Sequence, residues 1–374
     1  MLRRDFHFGA HTFRVEGGEE ALGWLQRFLE PQFAAGDSDS PHEVIRLIVD
    51  AREHARLAAC GPHPDDLAKA CFTLDSGIVT GRVWDASDSA EVVFDEARDI
   101  FYRRRPDEPG VIDIIVAGDT AEARVALMRA VREYAMLYAA RAGWLIVHAA
   151  AVCMGNDAFV IAGPKKAGKT TLLLHALQNE RGTYVSNDRV AVRADAPRPI
   201  VHGIPTIVSI RPDASAWFPE LGPKLRGVRF DARPPVSDGD VPAGVTPVKA
   251  WSLSPRQFCN IVGAKSRAAA RVVGLLFPQV DASTPGVTFE LLGTDEARRA
   301  LQAALFRSCP ADGMFRVHRA ESPSDSDTGM VAGVTSIISA VPSFACRLGA
   351  DAYRDGTRWL SHLLETAAPG SQTS

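Results

Sequence analysis

No two cysteines of this chain stand at a C-x-x-C spacing. Cys60, Cys71, Cys153, Cys259, Cys309 and Cys346 are scattered along 374 residues. That gives no support to a zinc or dithiol redox motif and leaves scattered buried or half-buried thiols in a reducing compartment as the expectation. No run approaches the roughly 18 apolar residues of a membrane span. The stretch Met1-Leu2-Arg3-Arg4-Asp5-Phe6-His7 lacks the apolar core of a signal peptide. A cytoplasmic protein with no membrane partner is expected. Net charge is also missing. With 42 basic and 45 acidic residues the balance is -3 and the pI about 6.4, which argues against a nucleic-acid partner. No internal repeat is seen.

What is present is ordinary globular composition, 46% hydrophobic and 23% charged, over a length that suggests two domains. The expected fold class is α/β, with an α+β N-terminal region. Residues 1–118 read as a mixed domain without a chemical motif. A helix is expected over 19–29, and strands at 44–49, 72–74, 78–84, 90–94 and 111–116. His54, His63, Asp65 and Asp66 lie close in sequence but read as a polar loop, not a metal site.

A second domain is expected over 119–366, followed by a disordered tail at 367–374. It opens with a helix over 119–142, with Asp119 as N-cap. Its core stripe is Leu127, Val131, Tyr134, Ala135 and Tyr138, and Gly143 closes it. A buried strand over 144–152 follows. Gly163-Pro164-Lys165-Lys166-Ala167-Gly168-Lys169-Thr170 then fits G-x-x-x-x-G-K-[ST], the phosphate-binding P-loop. A β-prone run, 158–162, precedes it, and a helical run starting at Thr171 follows. In that order loop amides and a helix N-terminus converge on phosphate oxygens. Lys169 would reach the β and γ phosphates, and the Thr170 hydroxyl would ligate Mg²⁺. Such a site needs a carboxylate near the metal, and Asp188 is the only close one after a β-prone run, 183–186. The Pro-, Gly- and Asp-rich stretch 195–250 reads as irregular, closing over the phosphates or binding the acceptor. It includes basic residues from Lys224 to Arg233. Beyond it, strands are expected at 271–280, 289–292 and 344–348. Helices are expected at 294–306, capped by Thr294, and near 353–364, with a polar loop at 321–327. His175 reads as structural.

His148-Ala149-Ala150-Ala151-Val152, the P-loop, and Ser186-Asn187-Asp188-Arg189-Val190 together resemble the core of the HPr kinase/phosphorylase family. That core is similar to the one in ATP-dependent phosphoenolpyruvate carboxykinase. The resemblance spans about 148–192. It implies a P-loop kinase core that uses ATP and Mg²⁺ to phosphorylate a hydroxyl. Lys169 and Thr170 would hold phosphate and metal, within a nucleotide site running from Gly163 to Thr171. Asp188 would be a metal ligand and catalytic carboxylate, and His148 would stand near the transferred phosphate. Relatives of this divergent kind include kinases that modify small peptides in natural-product pathways. The acceptor is therefore expected to be a peptide, a protein Ser or Thr, or a small molecule. Whether the chain forms a homo-oligomer stays open.

Asn187 stands where the family typically has an aspartate assigned acid/base work, and an amide takes no proton at neutral pH. Asp188 or His148 would have to act instead. Arg189 and Arg211 would neutralise developing charge or bind an anionic acceptor, with a surface salt bridge as the other reading of Arg211. The alternatives are a nucleotide-binding regulatory protein with weak ATPase activity and, third, a carboxykinase-type enzyme acting on a small acid. An ABC-type ATPase is disfavoured, since no L-S-G-G-Q-like segment follows.

Overall fold

The computed structural model describes residues 1–61, 69–72, 79–85, 89–194, 198–212, 217–231, 250–281, 283, 285–306, 326–349, 352 and 358–367. The chain divides into two compact units. One is built on Met1–Arg141, the other on the described residues of Ala142–Asp231, Val236–Phe306 and Asp327–Ser374. Both mix helices and strands, as expected of an α/β chain.

In the first unit the strands are β1 (Leu2–Phe8), β2 (His11–Gly17), β3 (Ala34–Gly36), β4 (Glu43–Val49), β5 (Lys69–Phe72), β6 (Val79–Asp85), β7 (Glu91–Asp95), β8 (Ile100–Arg104) and β9 (Val111–Val116). They form one mixed sheet in the order β3-β1-β2-β4-β9-β8-β7-β6-β5. The β1–β2 hairpin and β8 were not expected. Alternation in the hairpin buries Phe6, Phe8, Phe13 and Val15. The helices are α1 (Glu19–Leu29), α2 (Ala51–Ala59) and α3 (Ala121–Arg141). Leu22, Leu25, Phe28 and Leu29 of α1 are buried, as their spacing predicts.

Helix α3 corrects two expectations. Thr120, not Asp119, supplies the cap: its hydroxyl accepts the Ala123 N–H at 3.1 Å. Asp119 instead makes two 2.9 Å bonds to the Arg124 guanidinium. The helix packs on α1, β2, β4 and β9, so it belongs to the first unit and the division falls after Arg141, not at 118. Burial runs nearly all round it, well beyond the five-residue stripe.

In the second unit β10 (Leu145–Val147), β11 (Ala149–Met154), β12 (Asp157–Ala162), β13 (Thr183–Ser186), β14 (Arg189–Arg193), β15 (Ile200–Ile204) and β18 (Ala269–Val280) form a sheet ordered β10-β14-β15-β18-β12-β11-β13. Strand β20 (Ser343–Leu348) pairs with β18, and β19 (Val287–Leu291) with β20. Strands β16 (Val208–Ile210) and β17 (Trp251–Leu253) pair separately. The helices are α4 (Lys169–Asn179), α5 (Leu221–Leu225), α6 (Pro255–Val262), α7 (Thr294–Ala303), α8 (Ser326–Ala340) and α9 (Trp359–Ala367).

Alternation puts Ala150, Val152, Phe159 and Ile161 in a core with the leucines of α4. Ala149, Ala151, Cys153, Ala158, Val160 and Ala162 face a second core with Leu301 of α7 and Val334 and Ile337 of α8. A sheet covered on both faces explains these continuous apolar runs.

Two features of the topology place the site. Strand β12 is parallel to β18, β18 to β20, and β13 runs with β12 because both are antiparallel to β11. Their carboxyl ends therefore share one edge, where α/β sheets bind ligands. The sheet also curls. Strands β10 and β11 are far apart in its order, as are β13 and β14, yet β11 touches β14 and β13 touches β15. The chain crosses the gap twice, once through His148 and once through Asn187 and Asp188.

Four further expectations change. The single strand over 144–152 is two strands broken at His148. The stretch 195–250 is not irregular throughout, since β15 sits inside the sheet between β14 and β18; residues 195–197, 213–216 and 232–249 lie outside the described ones. Gly293, not Thr294, is the N-cap of α7, and that helix ends at Ala303, where the chain turns to bridge Val147 through Leu305. Helix α8 was not expected. Its glycines and β-branched residues hide a real spacing, Met330, Val334, Ile337 and Val341, that faces the second core. The remainder of the expected 321–327 loop and of the tail, residues 321–325 and 368–374, lies outside the described residues.

Candidate functional site

The turn from β12 into α4 is a glycine loop. Gly168 has φ +105°, and a Cβ on it would stand 2.7 Å from Leu348 Cδ1 at the end of β20. The left-handed backbone calls for glycine there, and a Cβ would also press on the Leu348 side chain. Gly168 is the N-cap of α4 and brings no side-chain cap, so the first amides of the helix stay available to an anion. Pro164, Lys165 and Lys166 are exposed, while Ala167, Thr170 and Thr171 are half-buried. Lys169 is buried, and its Nζ donates to the carbonyls of Gly163 at 2.7 Å and Pro164 at 3.1 Å. The loop thus wraps its own cation. Burial pushes the Lys169 pKa below its usual value, and the nearby charge of Asp188 opposes that fall.

The two crossovers meet beside this loop. His148 Nε2 lies 3.0 Å from Asp188 Oδ1. Asp188 Oδ2 lies 3.6 Å from Arg189 Nε. Desolvation works against the Asp188 charge. The His148 hydrogen bond and the charges of His148, Arg189 and Lys169 outweigh it, and its pKa is held below the usual carboxylate value. An ionised carboxylate only accepts, so Nε2 of His148 carries the proton and a neutral His148 keeps its lone pair on Nδ1. The His148 side chain is 31% exposed, open enough to meet a ligand. His148 and Asp188 are thus in hydrogen-bond contact, and the charge of Asp188 reaches Lys169.

Asn187 is held differently. Its Oδ1 accepts from the Tyr184 hydroxyl at 2.7 Å and from Thr206 at 3.1 Å, all three groups buried. It anchors β13 to the turn after β15.

Sequence reasoning missed Phe306. Its ring centre lies 5.6 Å from that of His148 and 4.8 Å from the Arg189 guanidinium. The expected role of Arg189 changes with this. It is 3% exposed, and its charge is spent on Asp188 and the Phe306 face rather than offered to a ligand. An isolated aromatic beyond a helix end carries no sequence signal of such a contact.

No family model matches this chain, and no curated protein matches it. His175, fully buried, stacks on Trp359 at 4.1 Å, and Glu180 caps α9 by accepting the Leu360 and Ser361 N–H groups at 3.0 and 2.8 Å. His54 lies on α2 with Nε2 3.0 Å from the Asp99 carbonyl; His63, Asp65 and Asp66 lie outside the described residues. Burial pushes the thiol of Cys153 up to about 11 and those of Cys259 and Cys346 up to about 12, so none is a thiolate at neutral pH. The side chains of Cys71 and Cys309 lie outside the described residues.

Among the described residues, no three His, Cys, Asp or Glu side chains gather tightly enough to hold a metal ion. Magnesium does not need such a cage, because it keeps waters and takes one or two protein ligands plus phosphate oxygens. Thr170 and Asp188 suit that coordination. Among the described residues, no helix is long and apolar enough to cross a membrane.

Proposed function

We propose that this chain is an ATP- and magnesium-dependent kinase with a P-loop core that phosphorylates a hydroxyl of a peptide, a protein Ser or Thr, or a small molecule. One observation carries the reading. The His148–Asp188 pair stands at two strand crossovers, beside a glycine loop that buries its lysine. The donor set fits a triphosphate: uncapped amides at the start of α4, an ammonium folded into the loop, and a carboxylate at the neighbouring strand end.

Bound Mg–ATP supplies the phosphoryl group. Amides of the loop and of the start of α4 bind phosphate oxygens together with the Lys169 ammonium, the Ala167 N–H being already given to the Pro164 carbonyl. The Thr170 hydroxyl and the Asp188 carboxylate would hold the metal, which would neutralise phosphate charge. Asp188 also holds the His148 proton on Nε2, so Nδ1 of His148 takes the proton of the acceptor hydroxyl. Lys169 and the helix start place positive charge where negative charge develops.

The Asn187 geometry favours a second reading, a nucleotide-binding regulatory protein with weak ATPase activity. Its amide is tied up by Tyr184 and Thr206 and takes no proton. The test is incubation with γ-labelled ATP and the products of neighbouring genes, with mass spectrometry for a gain of one phosphate. Transfer that disappears in Lys169→Ala and His148→Gln supports the kinase. ATP binding with phosphate released to water alone supports the second reading. A chain that does not bind ATP at all sinks both.

A further inference from the structure

Four side chains at the crossovers close a ring. Asp188 bridges His148 and Arg189 through its two oxygens, at 3.0 and 3.6 Å. Phe306 completes the circuit, under Arg189 at 4.8 Å and against the His148 ring at 5.6 Å. The backbone fixes the same segment. His148 donates its N–H to the Ala304 carbonyl at 2.8 Å, Phe306 donates to Ile146 at 3.0 Å, and Leu305 bridges Val147. The three residues after α7 are thus pinned to Ile146, Val147 and His148 itself.

The chemistry of the ring is complementary. Arg189 is almost fully buried, and a buried guanidinium needs compensation; it finds a carboxylate and an aromatic face. An imidazole bonded at one nitrogen can still swing about that bond. A ring packed against it restricts the swing, and such restriction is how a proton acceptor is kept in register with its substrate.

We propose that Phe306 is a positioning residue of this site. Its ring holds Arg189 and His148 in place, so that Asp188 stays shared between them and the His148 imidazole keeps one orientation. This rests on the reading of His148 as the proton acceptor.

The experiment uses the full chain and two variants, Phe306→Leu and Phe306→Tyr. Three quantities are read: ATP affinity by titration, kcat and KM for ATP hydrolysis, and the His148 ring-proton NMR signal, assigned by its loss in His148→Gln. In Phe306→Leu the His148 signal moves as the ring current disappears. There kcat falls about tenfold or more while ATP affinity stays within about twofold. Phe306→Tyr, which keeps the ring, restores both. If the leucine variant loses its far-ultraviolet circular dichroism, Phe306→Met takes its place.

An unmoved His148 signal in the leucine variant overturns the contact. A moved signal with kcat retained overturns the positioning role. A parallel loss of ATP affinity makes Phe306 a support of the nucleotide loop and overturns the proposal in that way. If the wild-type chain neither binds nor hydrolyses ATP, the kinase reading itself has failed, and the inference falls with it.

Discussion

The two units use buried charge in opposite ways. In the first, charges are paired across the middle of a sheet. Asp113 is 2% exposed and accepts from Arg103 at 3.2 and 2.9 Å and from Arg105 at 2.9 Å. Arg103 reaches on to Glu53 at 2.5 Å. In the second unit, charge gathers where strands end and α4 begins: Lys169 is held by backbone carbonyls and Asp188 by His148 and Arg189, and the two act on each other by charge without a direct ion pair. Paired charge at mid-strand holds a fold together. Charge gathered at strand ends, half-open to solvent and beside uncapped helix amides, is suited to a ligand.

The difference breaks most visibly if one partner is removed from the first network. Asp113→Ala leaves Arg103 and Arg105 facing a buried gap and should cost about 3–5 kcal/mol in urea unfolding, with ATP affinity unchanged. Equal stability in the variant would mean that the network is ornamental. The opposite response is expected from Lys169. Lys169→Met should reduce ATP affinity about a hundredfold, near 2.7 kcal/mol, yet leave unliganded stability within about 1 kcal/mol, because burial already penalises that charge. A large loss of stability would place Lys169 with Asp113 among the structural charges.

Smaller effects sharpen the contrast. Ser254 caps α6, accepting the Gln257 N–H at 3.2 Å, while the Gln257 side chain accepts the Ser254 N–H at 3.0 Å. Ser254→Ala should cost about 1 kcal/mol without touching nucleotide binding. The pH response separates two carboxylates. Hydrogen bonding from Arg56 and then Arg103 outweighs desolvation and holds Glu53 down at about 2, against an ordinary 4.5. A depressed carboxylate stabilises the fold above its unfolded pKa and stops doing so as pH falls through its folded one. Stability from Glu53 is therefore full above pH 4.5 and fades towards 2. Asp188 is also lowered, from 3.8, so its contribution is full above that pH and fades below it. Being 36% exposed, it should contribute the smaller amount, read as the difference between wild type and Asp188→Asn in acid titrations of unfolding. Added ATP should enlarge the lysine effect and leave the Glu53 profile as it was.

Much of the site was legible because its parts are local. The glycine loop needs residues at fixed offsets within eight positions, and Gly168 meets that need through φ +105°. Strands on either side are apolar because both faces of the sheet are covered, and that too is written in composition. The break at His148 was not legible, since 145–154 is uniformly apolar on either side of it; only pairing with β14 on one side and β12 on the other divides it. Helix α8 was hidden by glycine and β-branched residues whose low helix propensity is overridden by packing. Phe306 was hidden by distance, 158 positions from the histidine it touches.

By itself the sequence determined the loop, the residue types at its ends and the α/β character, because backbone conformation and burial periodicity are short-range properties. Tertiary structure alone decided that His148 and Asp188 meet. Each sits between two strands that pair with different neighbours, and only the curl of the sheet brings those crossovers within 3.0 Å. It also decided that Asn187 faces Tyr184 and Thr206 while Asp188, one residue on, faces the site. Adjacent residues at a strand end point in different directions, and which one meets the core is settled by what packs there.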